Sequence, residues 1–232
     1  MQDSLFIQVS IFIHVFAAST ALTTGMLAMV FRKETPKHRI VGKIYFWAMF
    51  IVFLTGVELS IIRESLFFFF IAGFTFYACA KGYRSLYLKE LHKGQKPEFW
   101  DWLVAGLGIS VNVGLVGYGV YMLTQSNWNA MIPLTFGLFG SKGVYEDTIR
   151  YFVPPTQANH WLKVHIEGMM GSYIGAITAF MVNQGHLFPF IPQPVLWLAP
   201  GILLGRFVAI EIRKISPVQT VEAPFWKKWM AR

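Results

Sequence analysis

The chain has 232 residues, of which 55% are hydrophobic and 14% charged, and its formal net charge is +8 at pH 7. This small share of charged side chains cannot cover the surface of a soluble globule of this length. The composition therefore predicts an integral membrane protein. Its Lys and Arg residues flank apolar segments, which indicates topology signals rather than a nucleic-acid partner. The single cysteine, Cys79, excludes an intramolecular disulfide.

Apolar segments that suit transmembrane helices follow one another along the chain. They predict an all-α fold, an integral membrane bundle of about seven transmembrane helices in a single polytopic domain over residues 1–232. Residues 213–232, whose end alternates aromatic and basic side chains, are predicted to form an interfacial tail at the cytoplasmic surface. The predicted spans are 5–31, 41–61, 65–80, 102–124, 130–140, 161–182 and 195–212.

Two of these segments have unusual sequences. The fifth is short, and its stretch MIPLTFGLFG contains Pro133 among small and polar residues. This composition predicts a tilted helix, a broken helix or a re-entrant segment. The Phe67 to Phe70 run in the third segment has no small residue on any face, and we expect it to face lipid.

Lys and Arg residues are distributed unevenly among the connections between predicted spans. Alternate connections and the C-terminal tail together hold 18 of the 20 positive residues. Cytoplasmic connections retain such residues, so this pattern predicts an N-terminus outside and a C-terminus in the cytoplasm. A bundle with six spans would place one positive cluster on the outer side.

Ionisable residues inside the predicted spans are the strongest indication of function, because a charge in a membrane costs at least about 2.5 kcal/mol. Consecutive helices alternate in direction, so these residues separate by depth into two groups. His14 and Glu58 belong to the outer half of the bundle. The inner half contains His165, Glu167, Arg206 and Glu211, level with the loop residues His38 and His160.

Two of the histidines lie on the small-residue face of their helix. Gly168, Ser172 and Gly175 fall beside His165 on a helical wheel, and a similar row of small residues accompanies His14. Small residues let helices pack closely in a membrane, so both rings are predicted to face neighbouring helices. Each histidine then either forms a hydrogen bond to its neighbour or contacts a ligand or cofactor.

Two short stretches carry a resemblance to a known family. They are HRIVGKIYFWAM at residues 38–49 and HIEGMMGSYIGAITAF at residues 165–180. They resemble two elements of a bacterial multi-pass membrane family, domain of unknown function 2306: His-Arg-x-x-Gly-x-x-Tyr after the first span, and a His before Met, Ser and small residues in a late span. An Arg often precedes that Ser in the family, whereas Gly171 stands there in this chain. The resemblance implies a bundle in the plasma (inner) membrane of a bacterium, with roles for His38, Tyr45 and His165 but no established activity.

The inner group of residues allows several interpretations. His38, His160, His165 and Glu167 suggest a metal site at the inner surface, although loop histidines are more often simply solvated. Arg206 is expected to pair with Glu167 or Glu211, or to extend toward the inner interface, and binding of a substrate anion is the alternative.

No catalytic motif is recognisable, so the sequence favours an accessory or small-ligand-binding membrane protein over an enzyme. A retinal protein is disfavoured, because no predicted span carries a Lys in its interior for a Schiff base. His14 and His165 lie in opposite leaflets and cannot ligate one haem together. Haem with a single His ligand, a metal ion and a quinone remain candidate cofactors, and other membrane proteins are candidate partners. A membrane redox protein and a small-solute transporter are the alternative functions.

Overall fold

The computed structural model of the protein describes residues 4–187 and 189–215. Within these ranges the chain is helical and contains no β-strand, which confirms the predicted all-α class. Most of the predicted interfacial tail, from residue 216 onward, lies outside the described residues. The seven α-helices of the described part are α1 (Leu5–Val30), α2 (Pro36–Ile62), α3 (Leu66–Arg84), α4 (Phe99–Thr124), α5 (Met131–Phe152), α6 (His160–Asn183) and α7 (Gln193–Arg213).

Local sequence signals determine where several helices begin. The Thr35 hydroxyl accepts a hydrogen bond from the His38 backbone N–H at 3.3 Å, and Pro36 occupies the first turn of α2. At the start of α4 the Glu98 backbone N–H donates to Asp101 Oδ2 at 2.8 Å. Gly94, with a φ of 92°, supplies the left-handed turn in the connection that precedes α4.

The fifth helix is longer than its apolar stretch. The sequence predicts an interrupted or short segment at residues 130–140, but α5 continues unbroken to Phe152. Pro133 lies in the first turn, where its missing N–H leaves no intrahelical bond unmade, so it does not interrupt the helix. The remaining turns are amphipathic and contain the charged residues Asp147 and Arg150.

Five of the seven helices, α1 to α4 and α7, are long and apolar enough to cross a membrane. Helices α5 and α6 are not among these five. Charged residues occupy the second half of α5, whereas α6 has Lys163 and Glu167 in its first two turns and several glycines after them. The fold is therefore a helical bundle in which most helices are able to cross a lipid bilayer.

Consecutive helices run in opposite directions, as contacts between opposite helix ends show. His38 at the start of α2 contacts Ala28 near the end of α1, and Arg84 at the end of α3 contacts Asp101 at the start of α4. One end of the bundle thus contains the ends of α1, α3, α5 and α7 and the starts of α2, α4 and α6. We name it the positive end, because Arg and Lys residues concentrate there.

Helix α3 lies at the centre and contacts α2, α4 and α6. Its crossing with α6 is a backbone contact, since a Cβ added at Gly168 would lie 2.6 Å from Gly82 Cα. Only residues without a side chain allow this approach. The seam of small residues predicted on the sixth span is therefore a packing surface against α3.

The phenylalanine run of α3 packs mainly inside the bundle. The Phe67 ring lies 5.0 Å from the Trp197 ring of α7, and the Phe70 ring fills the space above Gly114 of α4. Phe68 is 46% exposed. The prediction that this run faces lipid is therefore wrong for Phe67 and Phe70, because Trp197 of α7 and Gly114 of α4 receive their rings.

Candidate ligand site at the positive end

His165 is held by the close contact between α3 and α6. Its Nδ1 lies 2.9 Å from the backbone oxygen of Gly82. A carbonyl oxygen only accepts, so Nδ1 carries the hydrogen and donates it. The prediction that this ring faces a neighbouring helix is confirmed. In the neutral ring, Nε2 then keeps a free lone pair.

His38 adopts the same arrangement on the neighbouring pair of helices. Its Nδ1 donates to the backbone oxygen of Ala28 at 2.9 Å, which again leaves the lone pair on Nε2. His38 lies close enough to His165 to act on it electrostatically, as do Lys33 and Lys89. Neither Nε2 bonds to a described residue, and neither is sealed from its surroundings. The two lone pairs are therefore available to a ligand.

A buried hydrogen bond lies deeper in the bundle than these histidines. The Tyr45 hydroxyl is 2.7 Å from Ser172 Oγ, and both residues are almost completely buried. Ser172 Oγ donates to the backbone oxygen of Met169 at 2.9 Å, so Tyr45 is the donor to Ser172. This bond joins the two stretches of sequence that resemble family elements, one on α2 and one on α6.

The four residues considered for a metal site do not form a ligand set. Both ring nitrogens of His160 lie against backbone oxygens, of Gln157 at 3.0 Å and Leu88 at 2.9 Å. Glu167 pairs instead with Lys163 at 3.7 Å, one turn earlier on α6. In the described part of the chain, no three His, Cys, Asp or Glu residues are arranged to hold a metal ion.

The other predicted group, His14 and Glu58, lies at the opposite end of the bundle. His14 Nδ1 is 2.8 Å from the Thr55 hydroxyl, which itself donates to the backbone oxygen of Ile51. The Thr55 hydrogen is already used, so His14 Nδ1 is the donor. Glu58 accepts a hydrogen bond from Ser10 at 2.9 Å. Both residues thus join α1 to α2, and His14 lies far from His165, as the sequence predicts.

Arg206 does not join the site at the positive end. It is exposed on α7 and, among the described residues, pairs with neither Glu167 nor Glu211. Glu211 instead contacts Lys214 at 2.5 Å and Lys33 at 4.0 Å. This exposed position fits the expectation that Arg206 extends toward the interface, and not the expectation that it pairs with a carboxylate.

A cluster of charged residues between α3, α4 and α5 is the main feature that the sequence analysis missed. Asp147 Oδ2 accepts hydrogen bonds from Lys81 at 2.6 Å and from the Tyr77 hydroxyl at 2.7 Å. Arg84 binds both oxygens of Asp101, at 2.8 and 3.1 Å. The predicted spans ended at residues 80 and 140 and resumed at 102, which assigned all four charged side chains to loops. Continued helical periodicity beyond the apolar stretches was the signal that could have located them.

The fold and the site together define a helical bundle of the membrane type with ionisable groups at both ends. Comparisons with protein families, with curated proteins and with solved structures found no match to this chain.

Proposed function

We propose that this chain is an integral membrane protein that binds a small ligand at its positive end through His38 and His165. The observation that carries the proposal is the state of the two rings, each with Nδ1–H bonded to a backbone carbonyl and Nε2 left as a lone pair. Histidines that bind a metal through one nitrogen usually donate a hydrogen bond from the other. The favoured biochemical role is that of a ligand-binding or accessory membrane protein.

Haem is the ligand that the available donors suit best. Its iron already has four equatorial ligands from the macrocycle, so one or two imidazoles complete its coordination. A bare metal ion would need three or four protein ligands, and the described residues offer no such group here. Lys33 and Lys89, which act electrostatically on His165, would suit the negative propionates of a haem. A role in electron transfer follows if haem binds.

The proposal includes the complete membrane topology. We infer seven spans with the N-terminus outside and the positive end in the cytoplasm. The alternating helix directions and the positive residues at one end support this orientation. Charges on α5 and α6 near that end would lie at the level of the headgroups. The proposed location in the plasma membrane of a bacterium rests on the resemblance to the family called domain of unknown function 2306, whose two elements Tyr45 and Ser172 join in this structure.

Single cysteines introduced at the two ends of α4 test the orientation. Gln125→Cys lies at the proposed outer end and Lys96→Cys at the proposed inner end, while the native Cys79 is fully buried. A membrane-impermeant maleimide should label Gln125→Cys on intact cells, and Lys96→Cys only after the membrane is opened. The reverse pattern would refute the orientation, and labelling of both on intact cells would refute the crossing by α4.

Absorption spectra of the purified protein test the ligand. We expect the protein from its native membrane, or after addition of haemin, to show a Soret band that shifts on reduction. His38→Ala and His165→Ala should each weaken haem binding at least tenfold, because an axial ligand is lost. His186→Ala is the matched control, because His186 is an exposed histidine at the opposite end of the bundle. Size-exclusion chromatography and thermal unfolding show whether each variant is folded. A folded wild type that takes up no haem, or folded variants that bind haem as the wild type does, would overturn the proposal.

A further inference from the structure

Buried cations between α3, α4 and α5 outnumber the buried carboxylates beside them. The cations are Lys81, Arg84 and Arg150, with side chains 14%, 17% and 10% exposed. The carboxylates are Asp101 and Asp147, with side chains 0% and 11% exposed. Arg84 also pairs with Glu98 at 3.1 Å, but the Glu98 side chain is 67% exposed. Only two carboxylates are therefore buried beside three buried cations, and a buried charge without a close partner is costly.

Arg150 is the cation without a full partner. Its Nη1 lies 3.9 Å from Asp147 Oδ1, which is too far for a hydrogen bond. Its Nε is completely buried and bonds to no described residue. The remaining neighbour is Tyr151, whose hydroxyl and ring lie against the guanidinium, with the ring centre at 5.6 Å. A guanidinium has five N–H donors, so most of them lack an acceptor.

Most carboxylate oxygens near Arg150 are already engaged by other donors. Asp147 already accepts from Lys81 and Tyr77 through Oδ2. Asp101 is bound by Arg84 at both oxygens. Asp147 Oδ1 accepts no hydrogen bond from a described residue and is the nearest carboxylate oxygen, 3.9 Å from Arg150 Nη1. Together with the Tyr151 hydroxyl it can serve only part of the guanidinium, and the remaining donors have no acceptor in the described part of the chain.

The surroundings of Arg150 indicate the source of such an acceptor. Arg150 lies in the last turn of α5, at the positive end, and its terminal nitrogens are not sealed as Nε is. Exposed aromatic rings surround this end of the α4–α5 pair, as they do at the boundary between lipid and water. They are Phe99, Trp100, Trp102, Tyr145 and Phe152.

We propose that Arg150 binds the phosphate group of an anionic phospholipid between the ends of α4 and α5. A phosphate offers the several acceptor oxygens and the negative charge that the guanidinium lacks. Basic pockets between helices at the cytoplasmic side bind lipid headgroups in this way. The acyl chains would lie along the apolar surface formed by Leu103, Leu138 and Phe139, all of which are exposed. This inference concerns a different face of α3 from the histidine site and does not depend on it.

Thermal unfolding of the full chain in detergent, with defined additions, tests the inference. Phosphatidylglycerol should raise the unfolding midpoint of the wild type, whereas uncharged phosphatidylcholine should not. Arg150→Gln should weaken the response to phosphatidylglycerol at least about tenfold in lipid concentration, because it removes the charge and the planar pair of donors. Lys142→Gln is the matched control, since it removes a positive charge from the same helix at a side chain that is 76% exposed. It should respond as the wild type does.

Other arms of the experiment separate the sources of the phosphate group. Stabilisation by inorganic phosphate alone, lost in Arg150→Gln, would identify the same site with a free anion as its ligand. If Arg150→Gln does not fold, Arg150→Lys keeps the charge but not the planar pair of donors, and its response should be weaker than that of the wild type. An equal response of wild type and Arg150 variants to phosphatidylglycerol, or no response in the wild type, would overturn the inference.

Discussion

Gly168→Ala should destabilise the bundle by about 3 kcal/mol or more, the upper part of the range for overpacked sites. The added methyl group would lie 2.6 Å from three backbone atoms, Gly82 Cα, Gly82 N and the oxygen of Ala78. Backbone atoms cannot rotate away as a side chain can, so α3 and α6 would have to separate. That separation would also lengthen the hydrogen bond from His165 to Gly82.

Gly171→Ala provides the matched control for this change. It makes the same substitution one turn later on the same helix, where an added methyl group meets nothing within 4 Å. Alanine favours a helix over glycine by up to about 1 kcal/mol, so Gly171→Ala should leave stability unchanged or raise it slightly. Unfolding of each variant in mixed micelles of increasing denaturing detergent measures both effects. Equal stabilities for the two variants would show that α3 and α6 do not touch through Gly168.

The sequence predicts much of the histidine site, because its elements depend on short-range patterns. Gly168, Ser172 and Gly175 recur at helical spacing, and the position of His165 relative to them predicts its inward direction. The partner of His165, the Gly82 carbonyl, is not predictable in this way, because every residue has a backbone oxygen and the sequence does not show which one accepts. The bond between Tyr45 and Ser172 spans 127 residues, and no local pattern encodes it.

The charged cluster was missed because hydropathy determines where apolar stretches end but not where helices end. Lys81 follows directly after a predicted span, yet α3 continues to Arg84 and carries Lys81 into the bundle. The same holds for Asp147 and Arg150 in α5, which extends twelve residues beyond residue 140. The exclusion of a Schiff-base lysine rested on those predicted boundaries. In the structure Lys81 is committed to Asp147 at 2.6 Å.

Asp147→Asn should have the largest effect among single changes in the charged cluster, a loss of about 3–5 kcal/mol. It removes the carboxylate that lies between Lys81 and Arg150, so two cations with side chains 14% and 10% exposed lose their counter-charge. Lys81→Met should cost less. It leaves Asp147 beside Arg150, whose Nη1 is 3.9 Å from the free Oδ1 and can move to bond it. The order of the two effects therefore tests whether Lys81 and Arg150 share Asp147 as their counter-charge.

The adjacent Glu146→Gln is the control for Asp147→Asn, because it neutralises the next residue of α5 at a side chain that is 58% exposed. Its ion pair with Lys142, at 3.8 Å, should contribute less than about 1 kcal/mol. The double variant Lys81→Met with Asp147→Asn should be more stable than Asp147→Asn alone, since it removes one of the two unpaired cations. Unfolding in the same mixed micelles measures all four proteins. If Lys81→Met lowers stability more than Asp147→Asn does, Arg150 does not take the place of Lys81 as the partner of Asp147. The counter-charge of Arg150 then lies elsewhere. Additive effects of the two changes would mean that Lys81 and Asp147 are not energetically coupled.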